Sequence, residues 1–282
     1  MLTSSSPVAH CSCFHTPTPP LIYEQATGWS TINFLSHPPF FSYIEPYLAL
    51  ERFIMRLFEL CGEDRNLSFS PFVWRTKMAL AHKGLAYENI PCNFIDKEAF
   101  AQSGSKTVPV IEDKGVWVSD SWDIACYLED NYKDAPSLFG SDEGRGLACF
   151  LNNWAGPNLI LPMFYIIAPD IPQHLTTSDA EYFKNSREKF FGHPVEDLTN
   201  YKDKNLEQFK KSISPLRATL KAQKFISGNA PAYGDYIIFG AYQWARQVGS
   251  VDLLKGEKYI APWFERMLGL YNGLGQKAPI AK

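Results

Sequence analysis

Apolar and polar positions alternate in different rhythms along the chain. Phe53-Ile54-Met55-Arg56-Leu57-Phe58-Glu59-Leu60 is a short, mostly apolar run followed by a polar stretch at 61–68, the pattern of a buried strand. Trp74, Met78, Ala81 and Leu85 then recur at i, i+4, i+7 and i+11, which predicts a helix. Ser70-Pro71 supplies its start, a serine cap followed by a proline whose missing N–H is harmless in the first turn. Gly84 supplies its end. Residues 87–92 predict a second strand and hence a right-handed β-α-β unit. A short helix near 96–102 leads to Gly104. Strands three and four are expected at 107–111, interrupted by Pro109, and at 115–118. Asp120-Ser121 opens a helix with Ile124, Ala125 and Leu128 on its inner face, ending near Tyr132. Past Ser141 the strand patterns vanish. Helical periods take over, clearest at 235–248, where Ile237, Ile238, Ala241, Tyr242 and Ala245 share a stripe. The expected fold is α/β + all-α: a β-α-β-α-β-β-α domain at 52–133, a linker at 134–141 with Pro136 and Gly140, and an all-helical domain at 142–282.

Charge sets the first 51 residues apart. They hold no Lys or Arg, and only Glu24, Glu45 and Glu51 are acidic. Ser, Thr and Pro are dense there (Thr16-Pro17-Thr18-Pro19-Pro20), which denies the backbone regular hydrogen bonding. Residues 1–51 are therefore expected to be a Pro/Ser-rich, poorly ordered extension. It lacks the basic n-region and apolar run of a secretory signal and the arginines of a transit peptide. His10, Cys11, Cys13 and His15 lack the spacing of a metal site, and no metal is expected.

The whole 282-residue chain carries a formal charge of −3 and 45% hydrophobic residues. That balance gives no electrostatic reason to bind nucleic acid or an acidic membrane. No run of 18 apolar residues occurs, so no membrane span is expected. Six cysteines without a CxxC pair read as reduced thiols of a cytoplasmic protein.

Three short motifs carry candidate chemistry. A βαβ–ββα layout with proline at the head of the third strand is a thioredoxin-like arrangement. A cis Pro109 there would turn the N–H and C=O of Val108 toward a bound peptide. The plain alternative is an edge proline. Asp120-Ser121 at a helix start reads either as simple capping, with Asp123 reaching back, or as a carboxylate grip built from the helix N-terminus and the Ser121 hydroxyl. Ser70 reads either as a cap or as a hydroxyl that favours a ligand's thiolate beside the positive end of a helix. Ser68, in the loop before, is the runner-up. Arg75 is expected to pair with a carboxylate inside the fold, and His82 to be a surface or packing residue.

In order and spacing, Ser70-Pro71-Phe72-x-x-Arg75, Val108-Pro109 and Asp120-Ser121 with Ile124-Ala125-x-Tyr127-Leu128 resemble the glutathione transferase family over about residues 53–282. More narrowly, residues 70–85, 106–110 and 119–125 resemble the fungal A class and the related bacterial β-etherases. The resemblance implies glutathione as co-substrate and a homodimer. It implies Ser70 as the catalytic residue and Val108, Pro109, Asp120 and Ser121 as glutathione-binding. The implied activity is detoxification-type attack of the glutathione thiol on hydrophobic or aromatic electrophiles, aryl ethers or plant phenolics included. Trp154, Phe164 and Tyr165 are candidate walls for the second substrate, with core packing as their alternative. Gln102 and Lys106 are candidates for the glycine carboxylate. One departure is visible: Ala232-Tyr233-Gly234-Asp235 stands where the family places a Ser/Thr-x-x-Asp box, so a capping hydroxyl is missing. Two other functions stay open: a non-catalytic carrier of phenolic ligands or glutathione, and a glutathione-dependent thiol reductase using Cys61.

Overall fold

The computed structural model describes residues 54–281. The expectations for 1–51 lie outside the described residues. Strand β1 (Met55–Leu60) is the spine of a four-stranded sheet. It pairs in parallel with β2 (Tyr87–Cys92) and antiparallel with β3 (Val110–Asp113), which pairs antiparallel with β4 (Val116–Ser119). Neighbouring Leu57 and Phe58 are both buried, on opposite faces: Leu57 joins the main core, Phe58 a smaller cluster with Phe100, Cys92 and Val110. A strand covered on both sides loses polar alternation, which is why this run is mostly apolar.

Helix α1 (Pro71–His82) is the crossover between β1 and β2. Its end is fixed by Gly84, whose φ of +67° is left-handed and suits a residue without Cβ. Strand β3 begins at Val110 rather than the expected Thr107, because Pro109 has no N–H to give the ladder. The Val108–Pro109 peptide is cis. Helix α2 (Ser121–Asn131) completes this thioredoxin-like domain.

The helical domain opens with α3 (Asp142–Ala155), which runs through a wide turn at Gly156–Ile160 into α4 (Leu161–Ile167). Pro157 and Pro162 cannot donate to the helical ladder, which accounts for the widened turn. Next come α5 (Thr177–Phe191), α6 (Lys202–Ser212), α7 (Ser214–Ala222), α8 (Tyr233–Val248) and α9 (Ile260–Leu268).

Helix α8 is buried almost throughout and binds the two domains together. A Cβ on Gly240 would lie 2.2 Å from the Pro71 carbonyl oxygen, so α8 crosses the first turn of α1 only because position 240 is glycine. Trp74 Nε1 donates to Gln247 Oε1 (2.6 Å), Tyr233 Oη to the Ser121 carbonyl (2.6 Å), and His82 Nδ1 lies 2.5 Å from Tyr236 Oη. His82 is thus a half-buried interdomain contact. Ala232 gives no side-chain cap to α8. Asp235 compensates: its carboxylate accepts from the N–H groups of Ile226 (2.7 Å), Ser227 (3.1 Å) and Ala232 (3.2 Å) and from Trp263 Nε1 (2.9 Å). Among the described residues no helix is long and apolar enough to cross a membrane.

Candidate functional site

The first turn of α1, the Val108–Pro109 step and the residue before α2 line one cavity of about 590 Å³ between the two domains. Ser70 sits there as the cap of α1, and its Oγ accepts the Val73 N–H at 3.3 Å. That bond occupies a lone pair and leaves the hydroxyl proton free to donate. Val108 lines the cavity, and neither its N–H nor its C=O is bonded to another described residue. Asp120 also faces the cavity. Its Oδ1 accepts from Trp122 N (2.7 Å) and Asp123 N (3.4 Å), while its own N–H donates to the Pro109 carbonyl (3.3 Å). Asp123 therefore makes no return bond to the cap, unlike the expected capping box. Asp120 holds φ +74°, uncommon for a residue with a side chain.

Other expected residues lie elsewhere. Ser68 is buried, outside the cavity lining, and its Oγ has no partner. Ser121 is buried and tied by its carbonyl to Tyr233; it is not among the lining residues. Of the three aromatic candidates, Phe164 lines the cavity. Trp154 and Tyr165 do not; both pack against the core, with the Tyr165 ring centred 5.2 Å from that of Phe191. The wide turn at Gly156–Ile160 changes the helical phase, so Ile160 and Phe164, four residues apart, share the cavity wall. Lys106 lines it and Gln102 does not. Arg75 is a correction. Among the described residues it meets no carboxylate: its Nη1 donates to Asn152 Oδ1 (2.7 Å) and its guanidinium lies over the Phe72 ring.

Several lining residues escaped sequence reasoning: Lys97 before the short helix, Tyr182 and Arg187 on α5, and Trp244 on α8. Their segments carry no motif, and only the chain's return across the cleft brings them in. Cys92 lines the cavity too, and burial pushes its thiol up to about 11. Cys61 is likewise pushed up to about 11 by burial, and its Sγ donates to the Cys92 carbonyl and Asn93 Oδ1. At neutral pH only about one such thiol in ten thousand is thiolate, so neither is poised as a nucleophile. Among the described residues no cluster of three His, Cys, Asp or Glu side chains is arranged for a metal.

Comparison with known proteins agrees with this fold. The model of the glutathione S-transferase N-terminal domain matches residues 69–131, and that of the C-terminal domain matches 146–263. The chain belongs to the glutathione transferase family. It is similar to the glutathione S-transferase-like protein ustS of Aspergillus flavus, with 24% identity over 208 residues, 64% of this chain and 75% of that protein. A glutathione S-transferase of Ceriporiopsis subvermispora, solved in complex with glutathione, shares the fold at a TM-score of 0.71 and 23% identity, covering 81% of this chain and all of that one. The glutathione transferase GSTFuA3 of Phanerochaete chrysosporium shares it at a TM-score of 0.63 and 24% identity, covering 78% and 92%.

Proposed function

We propose that this protein is a serine-type glutathione transferase that activates the glutathione thiol in the interdomain cavity for attack on aromatic electrophiles. The observation that carries the reading is Ser70, a hydroxyl at the head of α1 opening onto a cavity that also holds Val108 and Asp120. The γ-glutamyl ammonium is assigned to Asp120 and its carboxylate to the N-terminus of α2 at Ser121. The cysteinyl unit pairs with the free backbone groups of Val108, beside Pro109. The glycine carboxylate meets Lys97 or Lys106. This leaves the sulfur near Ser70, where a donated hydrogen bond and the α1 dipole favour the thiolate.

Chemistry then needs only an electrophile held in line by the apolar wall that includes Phe164 and Trp244. The thiolate forms a carbon–sulfur bond. The leaving group, a halide or an aryloxide from an ether, departs with the bonding electrons. Phenolics of the kind associated with the fungal A class fit such a wall. We assign the protein to the cytoplasm and to a homodimer. Leu147 and Phe150, one turn apart on α3 and largely exposed, support the latter.

The test is turnover with an aryl halide and a β-aryl ether, together with ultraviolet titration of the bound thiol. Ser70→Ala should raise the thiol pKa by about one unit or more and lower kcat/KM at pH 6.5 about ten- to a hundredfold. Ser68→Ala should change neither. Loss of the pKa effect with glutathione still bound would overturn the assignment of Ser70.

A further inference from the structure

Arg187 lies on α5 and lines the cavity from the helical domain, across from Ser70, Val108 and Asp120. Its guanidinium is centred 5.4 Å from the Phe164 ring and 5.0 Å from the Phe183 ring. Among the described residues no carboxylate pairs with it, and its buried Nε–H has no hydrogen-bond partner. Burial pushes its pKa down against the opposing pull of Tyr182, yet a guanidinium stays charged at any working pH. A cation held between aromatic rings with an unused buried donor is costly unless something completes it. The short-range ion pairs of α5 lie elsewhere: Lys184 is already paired with Glu196.

The cavity's other charges sharpen the point. Among the described residues that line it, Lys97, Lys106 and Arg187 are the cations and Asp120 the one carboxylate. In the reading above, Asp120 takes the glutathione ammonium and a lysine takes the glycine carboxylate. The other lysine and Arg187 are left over, and of the two Arg187 contacts Phe164, part of the apolar wall assigned to the second substrate.

We infer that Arg187 selects second substrates in which an aromatic ring bears a carboxylate, the guanidinium fork binding the carboxylate while the apolar wall that includes Phe164 and Trp244 holds the ring. The planar fork matches a carboxylate in two-pronged geometry, and its apolar surroundings strengthen the bond. This rests on the proposed function only for the place of the second substrate.

The experiment compares 4-chloro-3-nitrobenzoate with 4-chloro-3-nitrobenzamide, which share ring, nitro group and chloride leaving group. In both, the glutathione sulfur bonds to the ring carbon and chloride leaves with the C–Cl electron pair. The wild-type full chain should favour the acid in kcat/KM by roughly ten- to a hundredfold. Arg187→Gln should collapse that ratio toward one and raise KM for the acid, while KM for glutathione moves by less than twofold. Arg187→Lys should restore part of the preference. A binding arm stands apart from turnover: calorimetric titration of 2-naphthoate and 2-naphthamide into the glutathione-saturated protein should give tighter binding of the acid, lost in Arg187→Gln. Failure of turnover with the naphthoate preference intact overturns the catalytic reading and not this one. No acid preference in the wild type, or an Arg187→Gln variant that weakens glutathione instead, overturns the inference.

Discussion

Asp120 combines two demands that conflict. It caps α2 through Oδ1, a role that asks only for a short acceptor, yet its φ of +74° is a conformation that favours glycine. Replacing a cap residue by glycine costs a few tenths of a kcal/mol, and relief of such a backbone returns about 1 kcal/mol or more. Asp120→Gly should therefore fold with nearly unchanged stability in urea but show KM for glutathione raised about tenfold or more. Equal glutathione affinity in variant and wild type would remove Asp120 from the site. Single residues are also where sequence reasoning divides most sharply. Ser70 was legible as a cap because local chemistry dictates it, a serine before proline; the cis Val108–Pro109 step was open to a plain edge proline, and only the order of strands and helices around it pointed to cis. Arg75 was misread because its partner, Asn152, lies 77 positions away, and a buried guanidinium can donate to a neutral amide oxygen in place of a carboxylate.

At the scale of elements, α8 illustrates how a missing residue is covered by geometry. The absent hydroxyl at Ala232 suggested a weak helix start, but Asp235 accepts four donors and ties the preceding loop and α9 to that start. Asp235→Ala would strand the buried Trp263 indole N–H and release the three backbone N–H groups that order the loop before α8, so chemical denaturation should register a loss of about 2 kcal/mol or more. The α1–α8 contact has a pH signature. Burial, with Lys83 nearby, pushes the His82 pKa below its usual value, while Glu129 and the Ser137 backbone oppose the shift. The unfolded chain then takes up a proton near pH 6.5, whereas the folded His82 stays neutral to lower pH. Its stabilising contribution is present above about pH 6.5 and is lost as pH falls through the folded value. The denaturation midpoint of wild type should drop more between pH 7.5 and 5.5 than that of His82→Gln. Parallel drops would dismiss this linkage. The order of strands and helices in the first domain was legible from periodicity together with cap, glycine and proline signals, whereas the second domain was legible only as helical. The wide turn at Gly156–Ile160 was not legible, since two prolines in an apolar helix do not announce which way the register shifts, so the choice between cavity wall and core packing for Trp154, Phe164 and Tyr165 stayed open.

At the scale of the molecule, the cavity belongs to neither domain. Ser70, Val108 and Asp120 come from one, and Phe164, Arg187 and Trp244 from the other. Half of the site follows motifs. The other half is set by helices whose inward residues carry no signal until the chain is folded. The same interpenetration predicts cooperativity. Tryptophan fluorescence and far-ultraviolet circular dichroism should lose their native signals in one coincident transition, because α8 is core to both domains. Two separated transitions would mean that the interdomain contacts are weaker than their geometry.

The glycine at position 240 has a consequence for how such a protein changes over time. With α8 seated against the Pro71 carbonyl through a missing side chain, each domain carries the mould of the other. A catalytic domain transplanted onto a relative's helical domain would meet a surface shaped for a different crossing. Gene rearrangements that shuffle whole modules should be punished here, while drift in the loops goes unnoticed. The cavity is then reshaped by replacing side chains on its far wall, one position at a time.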